Sequence, residues 1–520
     1  VNLRAGLIGN APVWAALLRQ EGFPWARVQS PDALDTDGFS VVIACGPRVG
    51  EWEEPLRNYV RRGGAAVLPQ EVLARWCGRQ ARWERFRYLI RRRASKLRWN
   101  RLVEASGRGL VVEGAGELLT DKGSAVLPIL HYGEGVMAAF PVDLQGLFEE
   151  TRARRRLFYS PVEPLPSERV SMVPRGELRL MFHCVLEALH HERGIDYAHL
   201  WYFPGCAENI FSLRIDTDYA RREEVDELYR LVHEFHVPAS WFLHVKAHVG
   251  RLHDFSSMEG QEIGVHCYAH EAYGRGGLDR SGIEKARDLV EVVGLHPVGF
   301  AAPYGIWRRN LVEDLESLGF QYSSEFGLEY DNLPSYPWLG GSFARLLHVP
   351  VHPVTIGSLR REGYGPGEMI DYFDFVMKTK TASFDPLLFY VHPGDGPLPI
   401  LRWLFERVRE SGMGAWPLRD YAGWWSRRVG CLEGARIDVG EEVEVKIPED
   451  TAVEGIRASV TAPDGRWALA ETGKRTLSQD LPWRNLPDVP PVPGDVTRVL
   501  GRRVKRLADD VRTFIWRMRG

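Results

Sequence analysis

The run Phe211-Ser212-Leu213-Arg214-Ile215-Asp216-Thr217-Asp218 decides how the middle of this chain is read. Its apolar residues over Phe211–Ile215 predict a buried strand, and that strand ends on two carboxylates. Acids two residues apart on extended chain point to one face. At the end of a buried strand such a pair is costly unless a metal ion or other cations compensate it. The plain alternative is a solvated strand end that caps the next helix.

The same alternation continues outward over residues 196–428. Further strands are expected at Ala239–Leu243, Glu262–Val265, Val298–Ala301, Gln321–Ser323, Leu347–Val351 and Leu387–Val391. Amphipathic helical stretches lie between many of them, such as Arg221–Phe235 and Ile283–Val293. A series of strand–helix units predicts a (β/α) barrel, with an open doubly wound sheet as the alternative.

Two histidine features sit at predicted strand ends. His266-Cys267-Tyr268-Ala269-His270 directly follows the apolar Ile263-Gly264-Val265. An H-x-x-x-H spacing brings two imidazoles together on one helical turn or across a tight loop. Two histidines and one carboxylate leave positions open for water and substrate, which is the design of a catalytic zinc site. Spacing alone is weak evidence among 16 histidines, and His244/His248 and His348/His352 repeat it. Phe389-Tyr390-Val391-His392-Pro393-Gly394 ends an apolar strand on an imidazole that could act as a general acid. Its plain reading is a strand-to-loop transition.

Taken in order, these features resemble the polysaccharide deacetylase family, also described as the NodB-homology domain or carbohydrate esterase family 4. The family's T-F-D-D-G corresponds to Arg214 to Asp218, and its H-[ST]-x-x-H to His266 to His270. Its R-x-P-Y corresponds to Ala301-Ala302-Pro303-Tyr304, and its late L-x-x-H to Phe389-Tyr390-Val391-His392. Val237 to Phe242 is similar to the family's second strand. The resemblance covers residues 196–428 and implies a distorted (β/α) barrel of the deacetylase type. It implies Asp218, His266 and His270 as metal ligands, usually for zinc, with cobalt or nickel as substitutes. Asp216 would be the base that deprotonates the attacking water, the Tyr304 backbone N–H would hold the oxyanion, and His392 would protonate the leaving amine. The implied reaction releases acetate from an N-acetylated amino sugar or glycan.

Three positions depart from the pattern. Thr217 separates carboxylates that are often adjacent. Ala301 replaces the arginine that normally pairs with the base, and Arg214, two residues before Asp216, is expected to supply that charge instead. Cys267 stands where serine or threonine is usual, as a small space-filling residue rather than a thiolate ligand. Outside the motifs, His352 is expected either to reach the pocket or to pack in the barrel wall. Two other readings of the chain remain open here. One is hydrolysis of a different small amide or ureide; the other is a degenerate barrel that binds carbohydrate.

The flanks read differently. Over residues 1–195 the runs Ala5–Ile8, Val41–Ala44 and Ala65–Leu68 alternate with helical patterns, which predicts a parallel α/β layer. Gly63-Gly64 suits a glycine helix end. The layer loosely resembles a flavodoxin-like, class I glutamine-amidotransferase-like domain. The strand Ala65–Leu68 runs into Pro69-Gln70-Glu71 without a nucleophilic cysteine, so the layer is read as non-catalytic. Arg75 to Arg101 is densely basic and interleaved with aromatic residues. It is expected either to meet an anionic surface or to pair with some of the chain's 69 acids. Residues 429–475 predict a small β unit, and residues 476–520 a linker followed by a basic amphipathic helix that could touch a membrane surface.

Whole-chain properties set the frame. At roughly 150 residues per domain, 520 residues predict about three domains. A net charge of −3 gives no overall pull toward nucleic acid, and no nucleic-acid partner is expected. The six cysteines are scattered, without a C-x-x-C pair. No apolar run approaches the roughly 20 residues of a membrane span. With no signal peptide pattern either, a cytoplasmic protein is expected. Oligomeric state is not legible.

Overall fold

The computed structural model describes residues 1–45, 50–98, 103–105, 107–274, 276–396, 398–490, 504, 505, 507, 508, 510 and 511. The chain divides into two compact units. One comprises Val1–Phe148, Glu177–Cys206 and Trp425–Pro491; the other comprises Glu149–Gly176, Ala207–Trp424 and Val492–Gly520.

The second unit is built on eight parallel strands: β1 (Ile210–Asp216), β2 (Ser240–His244), β3 (Glu262–Cys267), β4 (Gly299–Phe300), β5 (Tyr322–Ser323), β6 (Leu347–His348), β7 (Leu387–Val391) and β8 (Gly414–Ala415). Their order is β6-β5-β4-β3-β2-β1-β7, and β8 pairs with the first two residues of β1. The sheet curls until its ends adjoin. His352, beyond β6, bridges Phe389 of β7, and its backbone N–H donates to the Leu388 carbonyl at 2.7 Å. Every residue of β1, β2, β3 and β7 is buried, as expected for parallel strands covered on both faces. Helix Arg222–Glu234 presents Val225, Leu228, Leu231 and Val232 inward, matching its amphipathic pattern.

The seven expected barrel strands therefore all form, with shifts at their ends. The expected strand Leu347–Val351 shortens to Leu347–His348. Pro350 has no N–H to continue the ladder, which accounts for the early stop. Gly414–Ala415 was not anticipated, because a two-residue strand carries no alternation to read.

In the first unit a six-stranded sheet runs in the order Ile129–Tyr132, Gly135–Ala138, Ala65–Val67, Val41–Ala44, Ala5–Ile8 and Trp25–Arg27. Its pairings are parallel apart from the edge strand Ile129–Tyr132. The parallel layer expected near the N-terminus is present. Gly63 closes helix Glu53–Arg61 with φ 103°, a conformation that glycine adopts without a side-chain penalty. The strand Tyr197–Leu200 pairs with Arg457–Thr461, which in turn pairs with Arg466–Glu471. Strands Arg475–Leu477 and Arg484–Asn485 lie where the patternless linker was expected to begin.

The basic stretch after Arg75 is folded rather than extended. Ala81–Phe86 pairs with Gly107–Val112, and Leu89–Arg91 pairs with Leu118–Thr120. Several of its cations meet acids: Arg75 lies 3.1 Å from Glu53, Arg82 lies 2.8 Å from Glu84, and Lys96 pairs with Glu192. Trp99 and Arg101 at the end of that stretch, and most of the expected basic tail from Val496 to Met518, lie outside the described residues. Among the described residues no helix is long and apolar enough to cross a membrane.

Candidate active site

Parallel strands place their C-terminal ends at one end of a barrel, and chemistry gathers there. Asp216 ends β1, His244 ends β2, His266 and Cys267 end β3, and His392 directly follows β7.

Asp216 and Asp218 were expected to share a face of extended chain. The strand instead stops at Asp216, and Asp218 takes φ 39°, the left-handed region that a non-glycine residue rarely enters. Thr217 fixes this turn. Its N–H donates to the Phe242 carbonyl at 3.0 Å, and its Oγ1 accepts the His244 N–H at 3.0 Å. The His244 ring then donates from Nδ1 to the Asp218 carbonyl at 2.9 Å. The turn, rather than strand alternation, aims the Asp218 carboxylate.

That carboxylate meets both histidines of the H-x-x-x-H pair, which face each other across a tight loop beyond β3. Nε2 of His266 lies 3.2 Å and Nε2 of His270 lies 3.1 Å from Asp218 Oδ1. These three side chains form one of the two clusters of possible metal ligands among the described residues. The donor set fits a divalent cation on two grounds. His266 donates from Nδ1 to the Ala301 carbonyl at 2.6 Å, which leaves the Nε2 lone pair pointing into the cluster. Asp218 Oδ1 is buried and accepts no hydrogen bond, although both imidazole nitrogens face it. Burial pushes the Asp218 carboxyl up, but the facing imidazoles more than offset this and hold it below the usual carboxylate range. Cys267 is fully buried, and burial pushes its thiol up, away from a thiolate.

Beside this cluster Arg214 and Asp216 form a buried two-pronged pair. Arg214 Nε donates to Asp216 Oδ1 at 2.8 Å and Nη2 donates to Oδ2 at 2.5 Å. Arg214 Nη1 is held by the Ser324 carbonyl and by Ser324 Oγ. The guanidinium lies between the rings of Phe242 and Tyr390, with centroids at 5.6 and 5.3 Å. Position 301 contributes a backbone carbonyl to His266 in place of a side-chain charge.

His392 approaches from β7. Its Nε2 lies 3.7 Å from Asp218 Oδ2, and its Nδ1 lies 3.0 Å from Asp395 Oδ2. Burial lowers the affinity of the ring for a proton, but Asp395 and then Asp218 outweigh it and lift His392 to about 10. Asp395 escaped the sequence reading. Its signal was present in the turn His392-Pro393-Gly394-Asp395, where an acid three residues on can fold back; Asp395 Oδ2 also accepts the His392 N–H at 2.9 Å. Tyr304 sits in a left-handed turn, φ 59°, with its ring 4.9 Å from that of His270. Tyr219, 70% exposed, lies 5.8 Å from the same ring.

The His348/His352 pair stands apart from this arrangement. His352 does not reach it: Nδ1 is bound to Asp331 at 2.9 Å and Nε2 lies 2.9 Å from the Tyr372 hydroxyl. His348 is fully buried, with Nε2 held at the Glu325 backbone.

Residues 207–323 match the family model described as polysaccharide deacetylase, which fits deacetylase function. No curated protein sequence matches the chain. The fold is similar to that of a candidate polysaccharide deacetylase from Mycobacterium smegmatis, at 18% identity and TM-score 0.37, over 43% of this chain and 92% of that one. It is similar to Puue allantoinase at 17% identity and TM-score 0.37, over 43% and 92%. It is also similar to a carbohydrate esterase family 4 pseudoenzyme from Bacillus anthracis at 16% identity and TM-score 0.30, over 42% and 68%.

Proposed function

We propose that this protein is a metal-dependent hydrolase that removes N-acetyl groups from an amino sugar or glycan. The observation that carries this reading is the convergence of Asp218, His266 and His270 beside the Arg214–Asp216 pair. Asp218 Oδ1, His266 Nε2 and His270 Nε2 would hold the cation, with zinc preferred and cobalt or nickel able to substitute. When bound, such a cation supplies Lewis-acid polarisation of the acetamide carbonyl and acidifies water.

The chain's own groups do the rest. Asp216 takes the proton from the attacking water, and the Arg214 fork keeps its carboxylate oriented. The Tyr304 N–H stabilises the oxyanion. His392, held by Asp395, donates a proton to the departing nitrogen, so that a free amine and acetate leave. Tyr219 and Tyr304 offer partly exposed rings against which an apolar sugar face can pack. The first unit is proposed as a non-catalytic flavodoxin-like layer, and its strand order supports that reading.

Acetate release from a panel of N-acetylated glycans tests this function. The native chain is expected to release acetate from at least one of them. Asp216→Asn, which keeps the shape and loses the base, is expected to be slower by about 10³-fold. Equal rates for the two proteins would remove Asp216 from the reaction.

A further inference from the structure

A second cluster of the same chemistry lies in the first unit, outside the residues that match the deacetylase family model. Glu21 ends helix Pro12–Glu21, His183 lies on helix Arg175–His191, and His199 lies on strand Tyr197–Leu200. His183 Nδ1 is 2.7 Å and His199 Nε2 is 3.7 Å from Glu21 Oε1. The three ligand atoms all lie within 4.8 Å of one another.

We propose that Glu21, His183 and His199 form a second divalent-metal site, structural in role and separate from the barrel. Three features of the cluster point to a cation. His199 donates from Nδ1 to the Leu200 carbonyl at 2.9 Å, so its Nε2 lone pair faces the carboxylate. This repeats the arrangement by which His266 presents its Nε2 in the barrel. Next, the Glu21 side chain is fully buried, and the groups bonded to it are the imidazole of His183 and the phenols of Tyr197 and Tyr202, at 2.8 and 2.9 Å. His183 and the buried Arg179 guanidinium already act on this carboxylate, and with two imidazoles facing it the cluster offers a divalent ion three donors at one point. Finally, the ligands come from three separate elements. Binding would tie the end of a helix, a second helix and a strand together, so that loading couples to folding stability.

Imidazole and carboxylate donors without a thiolate suit a first-row divalent ion such as zinc or cobalt. Tyr197 and Tyr202 wall the site, and Phe23 stacks on Tyr197. The His183 side chain keeps 15% exposure. Tyr197 and Tyr202, bonded to opposite oxygens of Glu21, fix the plane of the carboxylate.

The test uses the full chain, stripped with chelator, reloaded with zinc, desalted and analysed for metal by mass spectrometry. His266→Ala disables the barrel site and leaves the first unit native. That variant is expected to keep about one zinc per chain and to melt at a higher temperature with zinc than without. Adding His199→Ala, or Glu21→Gln where the alanine variant does not fold, is expected to abolish the retained zinc. Cobalt loading of His266→Ala should give a visible ligand-field band that is lost with His199. A His266→Ala chain that retains no zinc overturns the proposal, and so does zinc that survives both first-unit changes. Failure of the barrel reading looks different: native and His266→Ala chains would then hold equal zinc.

Discussion

Arg214 is the buried cation that pairs with Asp216. Its guanidinium reaches Asp216 through two bonds from within the same strand, while position 301 offers a carbonyl to His266. Lysine cannot reproduce a planar fork. Arg214→Lys is therefore predicted to lower kcat by about tenfold or more with little change in KM, because orientation of the base is lost and substrate contacts are not. Steady-state kinetics on the substrate found in the glycan panel checks it.

Asp395 acts on His392 in a similar way. It raises the imidazole, so a proton donor there stays charged to higher pH. Activity that needs this proton is lost as pH rises through the pKa of His392. Asp395→Asn lowers that pKa, and the alkaline limb of kcat/KM is predicted to move to lower pH. A limb that stays in place would separate His392 from the proton transfer.

At the scale of elements, the closure of the barrel rests on the segment after β6. His352 meets β7 through its backbone, while its ring is fixed by Asp331 and Tyr372. Asp331 also pairs at 2.9 Å with Lys380, which is almost fully buried on helix Pro366–Ala382. Burial raises the Asp331 carboxyl, but His352 and Lys380 hold it well below its usual range. Its contribution is present at neutral pH and is lost as pH falls below about 4. Removing one partner of such a pair leaves a buried charge, so Lys380→Met is predicted to cost about 3 kcal/mol. Urea unfolding at pH 7 measures it, and the difference should shrink at acidic pH.

The strands of the barrel were legible because buried parallel strands write continuous apolar runs, as Phe211–Ile215 and Leu387–Val391 do. The carboxylate–histidine cluster was legible because its residues sit at the ends of those runs. The geometry of Asp218 was not, since nothing in a D-T-D sequence announces φ 39°. Glu21, His183 and His199 were not legible either. They are distant in the chain, on three elements, and carry no spacing to read.

At the scale of the whole molecule the described residues hold two imidazole–carboxylate clusters in two compact units, with different surroundings. Around Asp218 stand a carboxylate with its own arginine, a histidine with its own acid, and partly exposed tyrosines. Around Glu21 stand tyrosine hydroxyls and a wall of aromatic rings. The first set has groups that can move protons, so the proposed catalysis belongs to the barrel. Acetate release by the chelator-stripped chain, before and after zinc is returned, tests that assignment most directly, with His266→Ala in parallel. The native chain is predicted to be silent when stripped and to recover with zinc, while His266→Ala stays at least about 100-fold slower throughout. Acetate release by the stripped native chain, or zinc-restored release by His266→Ala at the native rate, would contradict the account.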